Sequence, residues 1–277
     1  MGTLSVNKRA ALYSVVMLIV GLLIWEAAIP AQKAVEELTE YERLTGAGEA
    51  KAGVPPPSQV LAKAWEQLSD PFYDAGPNDK GIGIQIGYSI YRVLTGYFLA
   101  ALIAIPFGFL IGMSQVAYKA FNPFIQVLRP ISPLAWMPLA LFIIGDSEAS
   151  AIFVIFICSI WPMLINTAFG VAGVREDWVN VARTHELGPI KTAFTVILPA
   201  AAPTILTGMR ISIGIAWLVI VAAEMLVGGT GIGYYVWNEW NNLDLTSVVF
   251  SILIIGVVGM LLDAMFGLLQ RRVTYAE

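Results

Sequence analysis

N-V-A-R-T-H-E-L-G-P-I-K-T-A-F-T-V-I-L-P (residues 180–199) runs directly into A-A-A-P-T-I-L-T-G-M-R-I-S-I-G-I-A-W-L-V-I-V-A-A-E-M-L-V (200–227). The first half is charged and helix-compatible. The second is longer than the ~20 apolar residues that cross a bilayer. Another long apolar run precedes the charged half, so a polar segment is wedged between two membrane spans. Such a segment is a poor partner for lipid, and it is expected to meet something soluble.

Working outward, the whole chain is 57% hydrophobic and 13% charged, with a mean hydropathy of +0.73. That charged fraction is about half the roughly 25% of a soluble domain. The apolar runs are continuous and not alternating, which excludes a barrel. Backbone in lipid must satisfy its own hydrogen bonds, so the spans are helices. The reading is an all-α, polytopic membrane protein. The net charge of −4 comes with no basic patch, so no nucleic-acid partner is implied; membrane lipid is the surrounding partner. The single cysteine, Cys158, lies inside an apolar run and can form no disulfide within the chain.

Six spans are expected, at about 11–29, 85–113, 121–145, 150–172, 200–227 and 246–270. Lys8 and Arg9 precede the first, as in a signal peptide, but residues 27–34 offer only a weak cleavage site, and we read an uncleaved span. Orientation follows from Lys and Arg. Lys8, Arg9, Lys119, Arg175, Arg183, Lys191, Arg271 and Arg272 all fall on one side, while the short loops 146–149 and 228–245 on the other have none. Both termini are therefore expected to be cytoplasmic. This divides the chain into 1–29 (cytoplasmic N-terminus and first span), 30–84 (outer segment), 85–270 (membrane core with a cytoplasmic loop at 173–199) and 271–277 (cytoplasmic tail).

The outer segment has its own pattern. Ala34, Val35, Leu38, Tyr41 and Leu44 fall near helical spacing. Val54 and Pro55–Pro57 are extended. Ser58 is placed to cap a helix with an apolar face of Val60, Leu61, Ala64, Trp65 and Leu68, which suits an interfacial helix or a docking surface for an outside partner. Residues 70–81 are turn-rich and polar.

In the wedged segment, a short helix near 179–187 is expected to stop at Gly188-Pro189, and a second over 190–198 to run into Pro199 and Pro203. This stretch resembles the cytoplasmic motif of ABC importer permeases: E-A-A, three residues, Gly, nine residues, Ile, one residue, Leu-Pro. Asn180, Val181 and Ala182 take the E-A-A positions, Glu186 the Gly position and Val196 the Ile position, while Leu198-Pro199 match. Gly188 lies two residues late.

Residues 54–270 resemble the nitrate, sulfonate and taurine permease family. The pieces are P-P-S-Q-V-L (56–61), Y-R-V-L-T-G-Y (91–97), I-P-F-G-F-L-I-G (105–112), L-R-P-I-S-P-L-A-W-M-P (128–138), L-T-G-M-R-I (206–211), V-A-A-E-M (221–225) and G-I-G-Y (231–234). The stretches 70–81, 151–157 and 224–229 look most like its nitrate/bicarbonate branch. The resemblance implies a type I ABC importer permease fold of about six transmembrane helices in a bacterial inner membrane. It implies a second permease copy, two cytoplasmic ABC ATPase subunits and a periplasmic solute-binding protein. The segment Asn180, Val181, Ala182, Arg183, Thr184, Glu186, Leu187, Gly188, Leu198 and Pro199 would dock the ATPase. The chain has no G-x-x-x-x-G-K-[ST] phosphate loop, so it cannot hydrolyse ATP by that route; the resemblance implies that ATP and Mg belong to the partner ATPases, that no cofactor is bound by this chain, and that it is no enzyme. Nitrate or nitrite is the first substrate reading, with bicarbonate, cyanate and sulfonate or taurine as alternatives.

Arg92, Arg129 and Arg210 fall inside spans and form the candidate substrate pathway, because a guanidinium fork matches trigonal oxygens. The plainer reading of each is structural, bonding carbonyls freed by prolines or pairing with Glu26, Glu224 or Asp263. Arg92, nearest the outer surface, is the first choice to meet the anion, with Arg129 and Arg210 deeper. Gly96, Gly108 and Gly112 permit close helix packing, and Trp136, Trp161 and Trp217 read as packing residues. His185, the only histidine, has no metal-ligand cluster around it. Two other classes of function compete with this reading. A secondary transporter would couple protons through Glu26, Glu224 or Asp263, but the halves show no repeat. An intramembrane enzyme would need more than Cys158.

Overall fold

The computed structural model describes residues 6–29, 54–76 and 79–273. The near-helical pattern at 34–44, Pro77-Asn78 of the polar turn and the end of the tail lie outside them. The helices are α1 (Val6–Ala28), α2 (Pro57–Ser69), α3 (Ile82–Gly112), α4 (Gln115–Leu128), α5 (Pro133–Ile144), α6 (Ser147–Ala172), α7 (Glu176–Thr184), α8 (Pro189–Thr192), α9 (Leu198–Val227), α10 (Ile232–Asn241) and α11 (Leu245–Val273). A π-helical stretch, Ala193–Ile197, joins α8 to α9. No strand occurs among the described residues.

Among the described residues five helical runs are long and apolar enough to span a membrane, and α4 with α5 forms a sixth candidate bent by 92°. The expected continuous span at 121–145 is thus two helices. Pro130 lacks an N–H, and its ring disfavours helical backbone at the preceding residue. Ser132 then restarts the chain: its Oγ accepts from Leu134 N at 3.3 Å, and Pro133 occupies the first turn, where its missing N–H costs nothing.

A bent pair can be a broken crossing or a loop that returns to its own side. Glycine contacts decide between them. Gly96 packs on the backbone of Ile152, Gly108 on that of Leu164 and Gly112 on that of Ala168; an added Cβ would lie 2.8, 2.7 and 2.6 Å from those carbonyl oxygens. The register advances in the same sense along both helices, so α3 and α6 are parallel. The chain between them must return across their full length, and α4 with α5 is therefore one crossing. The lengths agree. Helices of 14 and 12 residues rise about 21 and 18 Å, and at a right angle they reach about 28 Å, close to the ~30 Å of hydrocarbon.

The antiparallel partner is α9. Gly208 meets Asn166, and Gly170 meets Thr204. Ser212 Oγ donates to the Ser159 carbonyl at 2.8 Å and Tyr97 Oη to that of Met209 at 3.1 Å. Helix α11 runs back against α9, with Trp217 Nε1 donating to the Ile255 carbonyl at 2.9 Å. In lipid there is no hydrophobic drive between helices, and small residues with interhelical hydrogen bonds take its place. The core at α3, α6 and α9 holds Val93, Tyr97, Val154, Met163, Ile213 and Ile220, all fully buried, while Leu102, Leu110, Leu218 and Leu268 face outward.

The described residues divide into two compact units, Met1–Pro71 with Asn238–Leu253, and Phe72–Trp237 with Ile254–Glu277. Within the first, α2 starts at Pro57, and Ser58 is not its cap. Glu26 takes that part: its carboxylate accepts from Ser58 N at 3.1 Å and Ser58 Oγ at 2.8 Å, and a negative charge favours a helix N-terminus. The expected apolar face is split, with Val60 buried and Leu61, Trp65 and Leu68 exposed. Within the second unit, the polar turn closes on itself through Ala75 N to the Asp79 carbonyl at 2.9 Å and a Lys80–Asp74 ion pair at 3.2 Å.

Candidate functional site

The polar segment between α6 and α9 begins three residues earlier than expected, at Glu176. Two acids in the first turn and Arg183 in the last match the helix dipole. Ala182 is buried, and Val179 packs with Val174 and Leu198 against the cluster of Val171, Ile197, Ala201 and Ile205. Opposite them, Asn180, Val181, Arg183 and Thr184 are exposed. So is Trp178, which sequence reading passed over although Glu176-Asp177 marked the helix start.

Helix α7 ends at Thr184 and not at Gly188-Pro189. Glu186 N donates to the Arg183 carbonyl at 2.9 Å and Leu187 N to that of Ala182 at 3.1 Å, the paired bonds of a Schellman turn. That turn needs a left-handed residue, and Glu186 supplies it at φ 54°. Glycine would do so without a Cβ penalty. The motif's Gly position and the left-handed position thus coincide, and the turn keeps its shape with glutamate there. Leu187 is half-buried, and Gly188 precedes α8. Beyond it no helix break occurs at Pro199: residues Pro189–Val227 form one helical run. The π-helical turn widens the backbone ahead of a ring that would crowd an α-helical carbonyl, and Leu198 and Pro199 open α9.

The three intramembrane arginines separate. Arg92 is 8% and Glu224 2% exposed. Arg92 Nη1 donates to Glu224 Oε1 at 2.9 Å and to the Thr230 carbonyl at 2.6 Å, and the guanidinium lies 5.8 Å from the Tyr88 ring centre. Glu224 also accepts from Ser89 Oγ at 2.8 Å and Gly233 N at 2.9 Å. The Gly228–Gly233 loop is held further by Gly231 N to Gln85 Oε1 at 2.6 Å and Ile232 N to Ser89 Oγ at 2.9 Å. A Cβ on Gly231 would strike the Glu224 carboxyl, and one on Gly233 the Val221 carbonyl. Within this cluster Arg92 Nε is left buried with no partner among the described residues; elsewhere Gln67 Oε1, Ser159 Oγ and Thr167 Oγ1 share that state.

Arg210 is paired as well, its Nε on Asp263 Oδ1 at 2.7 Å and its Nη2 on Oδ2 at 2.5 Å. Arg129 differs. It sits at the bend after α4, exposed, and its guanidinium has no hydrogen-bond or ion-pair partner among the described residues. It lines two cavities, of about 230 Å3 and about 580 Å3. A charge at such depth costs a few kcal/mol and normally faces a partner or a wet cavity. Asn122, Gln126 and Asn166 line these cavities too; sequence reading missed them, although amides inside apolar spans were a signal. Among the described residues no group of His, Cys, Asp and Glu could hold a metal.

The family model described as "Binding-protein-dependent transport system inner membrane component" matches residues 104–275. The Nitrate import permease protein NrtB of Synechocystis sp. is 46% identical over 226 residues, 82% of this chain and 82% of that protein. The Bicarbonate transport system permease protein CmpB of the same organism is 41% identical over 236 residues, 84% of each. Among solved structures, an inward-facing MetNI methionine ABC transporter aligns with a TM-score of 0.61 at 17% identity, covering 69% of this chain and 95% of that chain.

Proposed function

Because this chain belongs to the family of binding-protein-dependent transport system inner membrane components, we propose that it forms the membrane pathway of an ATP-driven importer for a small oxyanion, nitrate before bicarbonate. As an ABC importer permease it is not itself an enzyme. The observation that carries the oxyanion is the identity of 46% to a nitrate permease across 82% of both chains and of 41% to a bicarbonate permease across 84%; the higher value puts nitrate first, and other nitrate and bicarbonate permeases overlap at 41% and 43%.

The charge pattern supports an orientation. The parallel course of α3 and α6 puts 113–120, 173–197 and the end of α11 on one side, with Lys119, Arg175, Arg183, Lys191, Arg271 and Arg272. That side is cytoplasmic by the positive-inside rule, as are both termini, while 30–84 lies outside, where a solute-binding protein delivers the anion. On the cytoplasmic face, α7 offers Trp178, Val181, Arg183 and Thr184 to an ATPase, with the Glu186–Gly188 turn and α8 beside it. Its inner face rests on α9 through Val179 and Leu198, so a push on α7 reaches a spanning helix. Two copies of the chain and two ATPases, which hold ATP and Mg, complete the transporter. Glu26, Glu224 and Asp263 are each engaged by partners, which speaks against proton coupling through a free carboxylate.

The test is ATP-dependent accumulation of labelled nitrate by the reconstituted transporter, with bicarbonate as competitor. Val181→Asp should leave the permease in the membrane and release the ATPase, since an exposed contact reversed in character weakens helix docking. Accumulation of bicarbonate alone overturns the substrate; retention of the ATPase by Val181→Asp overturns the docking face.

A further inference from the structure

The cavities beside Arg129 are stacked in the direction of the spans. The first meets α6 at Cys158, Trp161 and Asn166. The second, which shares Arg129 and Ile165 with it, reaches α6 as far as Ala168 and is edged by Asn122 and Gln126. A third, of about 230 Å3, shares Tyr118 and Ala168 with the second, reaches Ala172 and includes Lys119. The file thus descends along α6, with a guanidinium between its first two chambers and an ammonium at its last. Among the described residues no carboxylate lines any of the three.

We propose that Arg129 is a binding site inside the membrane for a monovalent oxyanion, which pauses against the guanidinium and moves on toward Lys119. The site rests on the reading of the chain as an oxyanion permease and specifies its interior. A guanidinium fork matches two oxygens of a planar anion. A water molecule claims about 30 Å3 of liquid, so each chamber holds a four-atom anion with several waters. One guanidinium balances one negative charge, while a tetrahedral dianion would remain charged in a low-dielectric site and is disfavoured. Asn122 and Gln126 supply neutral amide donors, and Asn166, whose Nδ2 gives one N–H to the Pro162 carbonyl at 2.8 Å, has a second; such donors bind the anion without trapping it. The arginine has no partner among the described residues, so the passing anion is its counter-ion, which separates it from Arg92 and Arg210.

Cys158, the only cysteine, lines the first chamber and is a native reporter. In the purified transporter, its modification by an anionic and a cationic methanethiosulfonate is followed by the mass of this chain. The anionic reagent should react several-fold faster relative to the cationic one than it does in Arg129→Gln, and nitrate should slow modification in the wild type only. Ile131→Cys in a Cys158→Ser background puts a second thiol in the same chamber and should behave alike. Absence of nitrate protection at both thiols, or equal protection in Arg129→Gln, overturns the site. Nitrate uptake by the same preparation separates the two readings: uptake without protection removes the site alone, whereas no uptake of any monovalent oxyanion removes the oxyanion reading itself.

Discussion

Around Glu224 nearly every polar group is committed, whereas around Arg129 the charge is left open. Arg92, Ser89, Gln85 and three backbone N–H groups close on one carboxylate and one loop. At the bend, the guanidinium faces chambers edged by amides. Both are arginines inside membrane spans, and both sit in motifs that read alike in sequence. The difference teaches that depth alone does not assign a role to an intramembrane charge. The assignment comes from what surrounds it, a counter-ion fixed in the protein or space for one that passes through.

The comparison breaks most visibly at its closed end. Glu224→Ala leaves Arg92 buried and unpaired, which costs about 3–5 kcal/mol. We expect strongly reduced insertion and an early thermal transition. Replacing both partners, Arg92→Met with Glu224→Leu, should recover much of that loss, because two apolar groups leave no uncompensated charge. A double variant as unstable as Glu224→Ala would mean that the loop contacts, and not the ion pair, hold this region.

A smaller effect is expected at the turn after α7. Glu186 holds a left-handed conformation that costs a non-glycine residue about 1 kcal/mol or more. Glu186→Gly should therefore raise the thermal transition slightly, with the ATPase still bound. A lowered transition would show that the glutamate side chain repays its backbone strain through contacts of its own.

Much of this was legible in the sequence. The spans fell within a few residues of the helices: 200–227 was expected and Leu198–Val227 is found. Continuous apolarity is a one-dimensional signal that needs no partner to be read. The break in the third span was written in Pro130, Ser132 and Pro133, yet Pro138 nearby sits within a helix; prolines mark where a helix is allowed to break, and packing selects among them. Gly188-Pro189 pointed to a helix end that the backbone placed at Glu186 instead, because the Schellman bonds outweigh the glycine preference. The pairing of Arg92 with Glu224 joins residues more than a hundred positions apart, and no periodicity within one chain connects them. Nor could the sequence show that Arg129 lacks a partner among the described residues, since that is a property of the space around it.

The most direct measurement is nitrate uptake per inserted transporter, at saturating nitrate, for Arg92→Gln and Arg129→Gln side by side. Arg129→Gln should reach the membrane in wild-type amount, as an exposed substitution normally changes stability by no more than about 0.5 kcal/mol, yet carry several-fold less nitrate per transporter. Arg92→Gln should do the reverse, with less protein inserted and near-normal uptake by what remains. Wild-type uptake per transporter in Arg129→Gln, or a fully inserted Arg92→Gln that no longer carries nitrate, would contradict the division between a structural arginine and one that meets the anion.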